Sequence, residues 1–314
     1  MVRSSMPAAA RGFGASSELA LVFLGHCRRP AMAVYPAVWI IALVLFTALV
    51  VVRLWDARAN RLEWRRLASR QPAPLRCFHK ALVAHLPEPA RRYFAYVITE
   101  GAPILPVTEI GMRGRFGLGD KRQPRYQAME ARQILAAPAG FLWKMRTREG
   151  LPIAGSDSGR WTRFWLLGVI PVARLGGDAD HARSAFGRYI GESTIWSPAA
   201  LLPGPGVSWD AAGPDTARVT VSQGDLSQSV DVEIDQDGCP MRVSFLRWSN
   251  ANPERTHRLQ PFGAILSDFR EVEGYRLPHH VEAGNLFGTD AYFPFFIAEV
   301  TAIAFPRAAG DPRD

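Results

Sequence analysis

The stretch Phe186-Gly-Arg-Tyr-Ile-Gly-Glu-Ser-Thr-Ile-Trp-Ser-Pro-Ala-Ala-Leu-Leu202 predicts one amphipathic helix. Its large side chains follow the i, i+3, i+4, i+7, i+10 spacing that lines one face of a helix: Phe186, Tyr189, Ile190, Ser193 and Trp196. Arg188 and Glu192 lie four residues apart on another face, where their side chains can meet. The helix is therefore expected to bury its aromatic face and to carry one charged pair.

Both ends of this helix have recognisable signals. Asp178 and Asp180 precede it and are residue types that cap the positive end of a helix dipole. Pro198 and the run Pro203-Gly-Pro-Gly206 end it.

Short runs with a two-residue period lie on either side of the central helix and predict strands. They occupy 110–116, 125–134, 140–146, 151–154 and 159–167 before it, and 217–222, 228–234, 241–248, 265–272, 275–284 and 293–305 after it. Asp237-Gly238 is a hairpin turn signal, and short turns between consecutive strands favour antiparallel pairing. The predicted fold class is α+β: a large curved antiparallel sheet, half-barrel-like, with helices packed on the concave face and one N-terminal transmembrane helix before it.

An uncharged apolar segment, Ala31–Val52, precedes the soluble pattern. At about 20 residues it is long enough to cross the hydrocarbon core of a bilayer. We therefore divide the chain into an extension at 1–30, a transmembrane helix at 31–53, a basic juxtamembrane linker at 54–74, an α+β domain at 75–306 and a tail at 307–314. A cleaved secretion signal is the alternative, because Ala57-Arg-Ala59 has the small-x-small form of a cleavage site, and Met32 is an alternative start.

The arginines flanking the apolar segment bear on its orientation. Those downstream are Arg53, Arg58, Arg61, Arg65, Arg66 and Arg70, and those upstream are Arg3, Arg11, Arg28 and Arg29. Under the positive-inside rule, this bias predicts a single-pass membrane protein with the bulk of the chain on the cytoplasmic side.

Composition narrows the class of protein further. The 314 residues carry a net charge of +8, and the basic excess clusters beside the apolar segment, which favours a membrane surface over nucleic acid. The three cysteines are scattered without a C-x-x-C spacing, so neither a zinc site nor a disulfide framework is expected.

Four motifs resemble one bacterial protein family over residues 85–305. They are Leu86-Pro-Glu-Pro-Ala-Arg-Arg-Tyr93, Arg188-Tyr-Ile-Gly-Glu192, Trp196-Ser-Pro-Ala-Ala-Leu-Leu202 and Gly274-Tyr-Arg-Leu-Pro278. The family is DUF6544, formerly DUF6920, and the resemblance implies no catalytic residues. The strand–helix–strand layout is also similar to the half-barrels of bacterial lipoprotein carriers.

Candidate catalytic and metal-binding groups are few. Gly155-Ser-Asp-Ser-Gly159 lacks the G-x-S-x-G order of a nucleophile elbow and is interpreted as a turn. His280 and Glu282 share one strand face, but no third ligand lies nearby. No glycine-rich phosphate motif opens a helix, so we predict no cofactor and no metal, and whether the protein is an enzyme stays open.

The hypothesis that fits these patterns is a membrane-anchored domain that binds a hydrophobic or amphipathic ligand, such as a lipid. The pocket candidates are the charged pair of the central helix and nearby aromatic residues: Arg188, Tyr189, Glu192, Trp196, Trp143 and Trp165. The alternatives are a membrane-associated enzyme, using His280, Glu282 or the Arg188–Glu192 pair, and a scaffold that binds only protein partners.

Overall fold

The structure is a computed structural model that describes residues 31–307. The predicted extension at 1–30, and all but the first residue of the predicted tail, lie outside the described residues. The chain divides into two compact units, 1–48 and 49–314.

The first unit contains the apolar part of helix α1, which runs from Ala31 to Ala68. Large apolar side chains between Val38 and Phe46 are exposed. Within residues 31–307, α1 is the one helix long and apolar enough to cross a membrane, by length and composition alone.

As far as residue 307, the second unit holds the rest of α1, two further α-helices and thirteen strands. The helices are α2 (Glu88–Val97) and α3 (Ala179–Trp196), with 3-10 turns at Lys80–Val83 and Pro198–Leu201. The strands are β1 (Thr108–Gly117), β2 (Tyr126–Ala136), β3 (Gly140–Thr147), β4 (Ile153–Ser158), β5 (Thr162–Leu166), β6 (Ile170–Leu175), β7 (Val207–Gly213), β8 (Thr216–Gln223), β9 (Leu226–Ile234), β10 (Pro240–Ser249), β11 (Arg258–Val272), β12 (Tyr275–Asn285) and β13 (Phe293–Ala304).

All thirteen strands form one antiparallel sheet in the order β6-β5-β4-β3-β2-β1-β13-β12-β11-β10-β9-β8-β7. The chain builds outward from β1 to one edge, crosses through α3 to the other edge, and returns inward to β13. β13 then pairs with β1 at the centre, Gly114 opposite Ala298. The sheet is open, since β6 and β7 are its two unpaired edges.

Curvature of the sheet follows from the contacts of α3. This helix touches both β3 and β9, which are seven inter-strand steps apart. A flat sheet would separate those strands by about 34 Å at about 4.8 Å per step. The helix is only about 27 Å long at 1.5 Å per residue, so the sheet must bend around it. The predicted curved antiparallel sheet with helices on its concave face is confirmed.

The predicted cap and stop residues act at the ends of α3, but the helix begins at Ala179, seven residues before Phe186, and ends at Trp196 rather than at Leu202. Asp178 is the N-cap, and its Oδ1 accepts a hydrogen bond from the backbone N–H of His181 at 2.7 Å. Pro198 follows the last helical residue, Trp196, and begins the next 3-10 turn.

The opposite face of the sheet receives the end of α1. Asp56, Asn60, Glu63 and Leu67 recur at helical spacing and are buried, Leu67 completely. Residues 54–68, expected to form a linker, are thus a helical part of the same unit as the sheet. The buried core begins before the predicted domain start at residue 75.

Candidate functional site

A cavity of about 250 Å³ lies between α3 and the concave face of the sheet. Its walls combine aromatic and aliphatic side chains with one charged group of residues. The lining comprises Phe116, Trp143, Asp157, Phe164, Arg188, Gly191, Glu192, Ile195, Trp196, Val243, Phe245, Arg247, Phe262, Ala264, Val281, Ala283, Phe295 and Phe296. All six phenylalanines are half-buried, so a ligand in the cavity would bury further apolar surface.

Two residues of α3 determine how closely the helix approaches the sheet at this point. Gly191 faces the ring of Phe245, which any Cβ at position 191 would overlap. Trp196 is 2% exposed, and its indole N–H donates to the carbonyl of Pro278 at 3.2 Å. The indole is thus satisfied, and its ring forms part of the apolar wall.

The charged end of the cavity centres on Arg188. Its Nε donates to Glu192 Oε1 at 2.8 Å and its Nη1 to Asp157 Oδ2 at 2.6 Å. The remaining carboxylate oxygens accept from Gln133 Nε2 at 2.7 Å and from the Thr162 hydroxyl at 2.5 Å. Burial opposes the charge of Arg188, but the two carboxylates outweigh burial and raise its pKa.

Arg247 reaches the same cavity from β10 without such partners. Within residues 31–307 no carboxylate lies in ion-pair range of its guanidinium, and its buried Nε has no hydrogen-bond partner. Its guanidinium carbon lies 5.2 Å from the ring centroid of Phe262. Burial, together with the charge of Arg188, lowers the pKa of Arg247 to about 10. Arg247 therefore stays a cation at neutral pH with its Nε unsatisfied.

Trp143 has a second unsatisfied donor. The side chain is 5% exposed, lines the cavity, and has an indole N–H with no acceptor among the described residues. A buried donor without a partner is uncommon in folded proteins and calls for an explanation.

The structure brings four of the six predicted pocket residues together: Arg188, Glu192, Trp196 and Trp143. Tyr189 instead packs its ring 5.8 Å from that of Phe141, centroid to centroid, and donates its hydroxyl to the carbonyl of Pro138. It lies behind the cavity wall.

Trp165 lies on the opposite face of the sheet, where its indole N–H donates to Asp56 at 3.1 Å. The reason is strand alternation, since its neighbour Phe164 takes the cavity-facing position of β5.

Two charged residues of the site were not among the predicted ones. Asp157 belongs to strand β4, so the predicted Gly155–Gly159 turn is wrong; Gly155 allows Phe164 of β5 to lie directly over the strand. Arg247 occupies the cavity-facing series of β10 after Val243 and Phe245. An arginine continuing the apolar register of a strand is the signal that could have identified it.

His280 and Glu282 lie on the face of β12 opposite the cavity, since their strand neighbours Val281 and Ala283 line it. His280 Nδ1 lies 2.5 Å from Glu299 Oε1, and its Nε2 lies 3.2 Å from Glu282 Oε1. Among residues 31–307, no group of three or more histidine, cysteine, aspartate or glutamate side chains is arranged to hold a metal ion.

A larger depression, about 630 Å³, lies on the outer face of the sheet. Arg53, Arg113, Arg132, Lys144 and Arg146 contribute to its lining, so its character is basic and polar. The smaller cavity under α3 is the better candidate for an apolar ligand because aromatic and aliphatic side chains dominate its walls.

These features define an open antiparallel half-barrel whose concave face is covered by helices and encloses an apolar cavity with a charged end. The chain belongs to DUF6544, a family of unknown function whose profile matches residues 76–297.

Solved structures with a similar fold include a LolA superfamily protein from Nitrosomonas europaea. It is 10% identical, with a TM-score of 0.39, over 70% of this chain and 92% of that one. Another is a DUF1329 family protein from Desulfovibrio piger, 9% identical with a TM-score of 0.36 over 64% of this chain and 86% of that one. The expected similarity to lipoprotein-carrier half-barrels is confirmed. A comparison with curated proteins finds no match.

Proposed function

We propose that this protein is membrane-anchored and binds a hydrophobic or amphipathic ligand, of lipid type, in the cavity under α3. The observation that carries the proposal is the lining itself: six half-buried phenylalanines around a space with charged groups at one end only. Ligand sites in proteins characteristically combine mostly apolar walls with a few placed polar groups.

The cavity volume limits the part of a ligand that it can hold. Its volume of about 250 Å³ lies just below the roughly 300–1,000 Å³ of typical small-molecule pockets. This corresponds to a medium-length acyl chain, or to one end of a longer chain.

Anchoring by α1 is supported by two features. The helix carries an uncharged segment of sufficient length, and its later residues are bound to the sheet through buried Asp56. Cleavage after Ala59 would remove Asp56 and leave Arg163 and Arg174 without their carboxylate, so retention of the helix is the favoured state. The arginine bias further supports a cytoplasmic location for the half-barrel.

Mass spectrometry of co-purified lipid tests the proposal. The full chain is purified in detergent and transferred to an amphipathic polymer. The lipids that it retains are compared with those retained by the variant Ala264→Phe, whose larger side chain is designed to fill the cavity. The matched control is Ala302→Phe on exposed β13 backbone outside the cavity. We expect a lipid that wild type and the control retain and Ala264→Phe lacks, while lipid around α1 is common to all three. Identical lipid content in the three proteins would overturn the proposal.

A further inference from the structure

Two unsatisfied donors lie at the charged end of the cavity, Trp143 Nε1 and Arg247 Nε. Arg188 lies near both residues. Its guanidinium carbon is 5.2 Å from the ring centroid of Trp143, and its positive charge helps to lower the pKa of Arg247. Leaving a buried donor unpaired destabilises the protein, and more so when the donor is charged. Acceptor oxygens on a ligand would remove that cost.

The protein's own acceptors at this end are already engaged. Each of the four carboxylate oxygens of Asp157 and Glu192 receives a hydrogen bond from Arg188, Gln133 or Thr162. Among the described residues, neither carboxylate forms an ion pair or a hydrogen bond with Arg247, whose Nε is left without a partner. A ligand oxygen would supply the acceptor that the described side chains do not give to Arg247 and Trp143.

The net charge of the side chains at this end of the cavity determines which kind of acceptor can bind there. Arg188 and Arg247 supply two positive charges, and Asp157 and Glu192 supply two negative ones, so the lining residues at this end are neutral together. A carboxylate or phosphate would add net negative charge beside two buried carboxylates, which is unfavourable in a medium of low dielectric constant. An uncharged oxygen acceptor satisfies the donors and keeps the group neutral.

We propose that the cavity selects an uncharged, ester-linked acyl lipid, whose acyl chain lies among the phenylalanines and whose ester oxygens accept from Arg247 and Trp143. This inference rests on the proposed function and adds the class of head group. Free fatty acids and acyl phosphates would be bound less well, because their charge is not matched.

The test uses the full chain in an amphipathic polymer and the neutral apolar dye N-phenyl-1-naphthylamine. Displacement of the dye by monodecanoylglycerol and by decanoate is measured at pH 7.5. We expect the ester to bind at least about tenfold more tightly than the carboxylate in wild type. Trp143→Phe keeps a ring and removes the N–H, and should weaken the ester about three- to tenfold, the usual effect of one hydrogen bond. Arg247→Met should weaken it tenfold or more.

Matched controls separate this effect from general damage. Trp209→Phe removes another buried indole N–H, one that donates to Leu201 outside the cavity. Arg242→Met removes an exposed arginine of the same strand, β10, that pairs with Glu233. Both should bind the ester within twofold of wild type. If Arg247→Met does not fold, Trp143→Phe alone still decides the role of the donors.

The outcomes distinguish this inference from the proposed function. Tighter binding of decanoate than of the ester would overturn the uncharged head group. Ester affinity unchanged in Trp143→Phe would overturn the donor role, while dye binding by wild type would still support an apolar site. If wild type binds neither the dye nor either ligand, the proposed function fails as well.

Discussion

Arg188 shows how a pair predicted from local spacing becomes part of a larger network. The i, i+4 spacing predicted its contact with Glu192, and the structure forms it at 2.8 Å. The second carboxylate, Asp157, comes from β4, 31 residues away, and no periodicity links the two positions. The strand register of β10 places Arg247 on the same face as Val243 and Phe245, but its contact with this network depends on how β10 packs against α3.

Removing one carboxylate from this network should be costly. Glu192→Ala leaves Arg188 with Asp157 alone and deprives Gln133 of its acceptor, so we expect a loss of about 2–3 kcal/mol in unfolding free energy. Urea midpoints measure the loss. Glu254→Ala, which breaks an exposed i, i+4 pair with Arg258, is the control and should change stability by about 0.5 kcal/mol or less. Equal midpoints for the two variants would show that Glu192 is effectively solvated.

His280 should make stability depend on pH. Burial opposes its charge, but hydrogen bonds with Glu299 and Glu282 outweigh burial and raise its pKa above the usual 6.5. Because the pKa of His280 is higher in the folded than in the unfolded state, its protonation stabilises the fold. This stabilisation is complete at pH values below the pKa of the unfolded state and is lost as the pH rises through the pKa of the folded state.

The corresponding variant is His280→Gln. It should be less stable than wild type by up to about 1 kcal/mol at pH 5.5, with the difference vanishing near pH 9. Urea unfolding at the two pH values checks this. A difference that is the same at both values would indicate lost packing instead of lost charge.

At the scale of elements, the second half of α1 differs most from its sequence pattern. Leucines are the residues that an amphipathic helix would be expected to bury, yet Leu54 and Leu62 are 61% and 51% exposed. The helix buries a stripe of mostly polar residues instead, led by Asp56 at 3% exposure. Hydrophobic periodicity cannot identify such a face, because its partners are charged and polar groups of the sheet.

Those partners surround Asp56 closely. Arg163 Nη1 and Arg174 Nη1 donate to it at 2.9 and 2.7 Å, alongside the indole of Trp165. Removing this buried carboxylate should lower the stability of the fold by more than the ion pairs contribute to it, because the two arginines would be left buried without a counter-charge.

Two truncations test whether this half of α1 belongs to the folded unit. Deleting residues 1–53 retains Asp56 and Leu67 and is expected to yield a folded, soluble protein. Deleting residues 1–74 removes both. It exposes the apolar residues that cluster with Leu67, and should cost at least about 3 kcal/mol; these residues are Val107, Ile134, Ala136, Leu142 and Trp161. Urea unfolding of both proteins gives the comparison. Equal stability would place the start of the domain after Pro74, as the sequence pattern predicted.

For the whole molecule, the class of fold was predictable and the strand order was not. Most strands were found from two-residue periods, but the edge strands β6 and β7 were missed. Edge strands bury little of their surface, and β6 contains Pro171 and is largely exposed, so its alternation is weak. The pairing of β1 with β13 joins distant segments, and no local turn signal announces it.

The orientation of the whole molecule across a membrane is a separate prediction. The arginine bias predicts that a fluorescent protein fused to the C-terminus folds in the cytoplasm, and that alkaline phosphatase at the same position is inactive. Active phosphatase would reverse the orientation. Replacing the basic residues 58, 61 and 65, all on α1, with glutamine should weaken any cytoplasmic preference.

The pairing of β1 with β13 at the centre of the sheet also has a consequence for protein synthesis. Strand β1 leaves the ribosome early, whereas β13 is the last strand of the described chain to emerge. Until then β1 lacks its neighbour, and the two growing halves of the sheet each expose an unpaired inner edge that invites misassociation. Phe295 and Phe296 of β13 also line the cavity, so the walls of the cavity are complete only after the two halves of the sheet are joined.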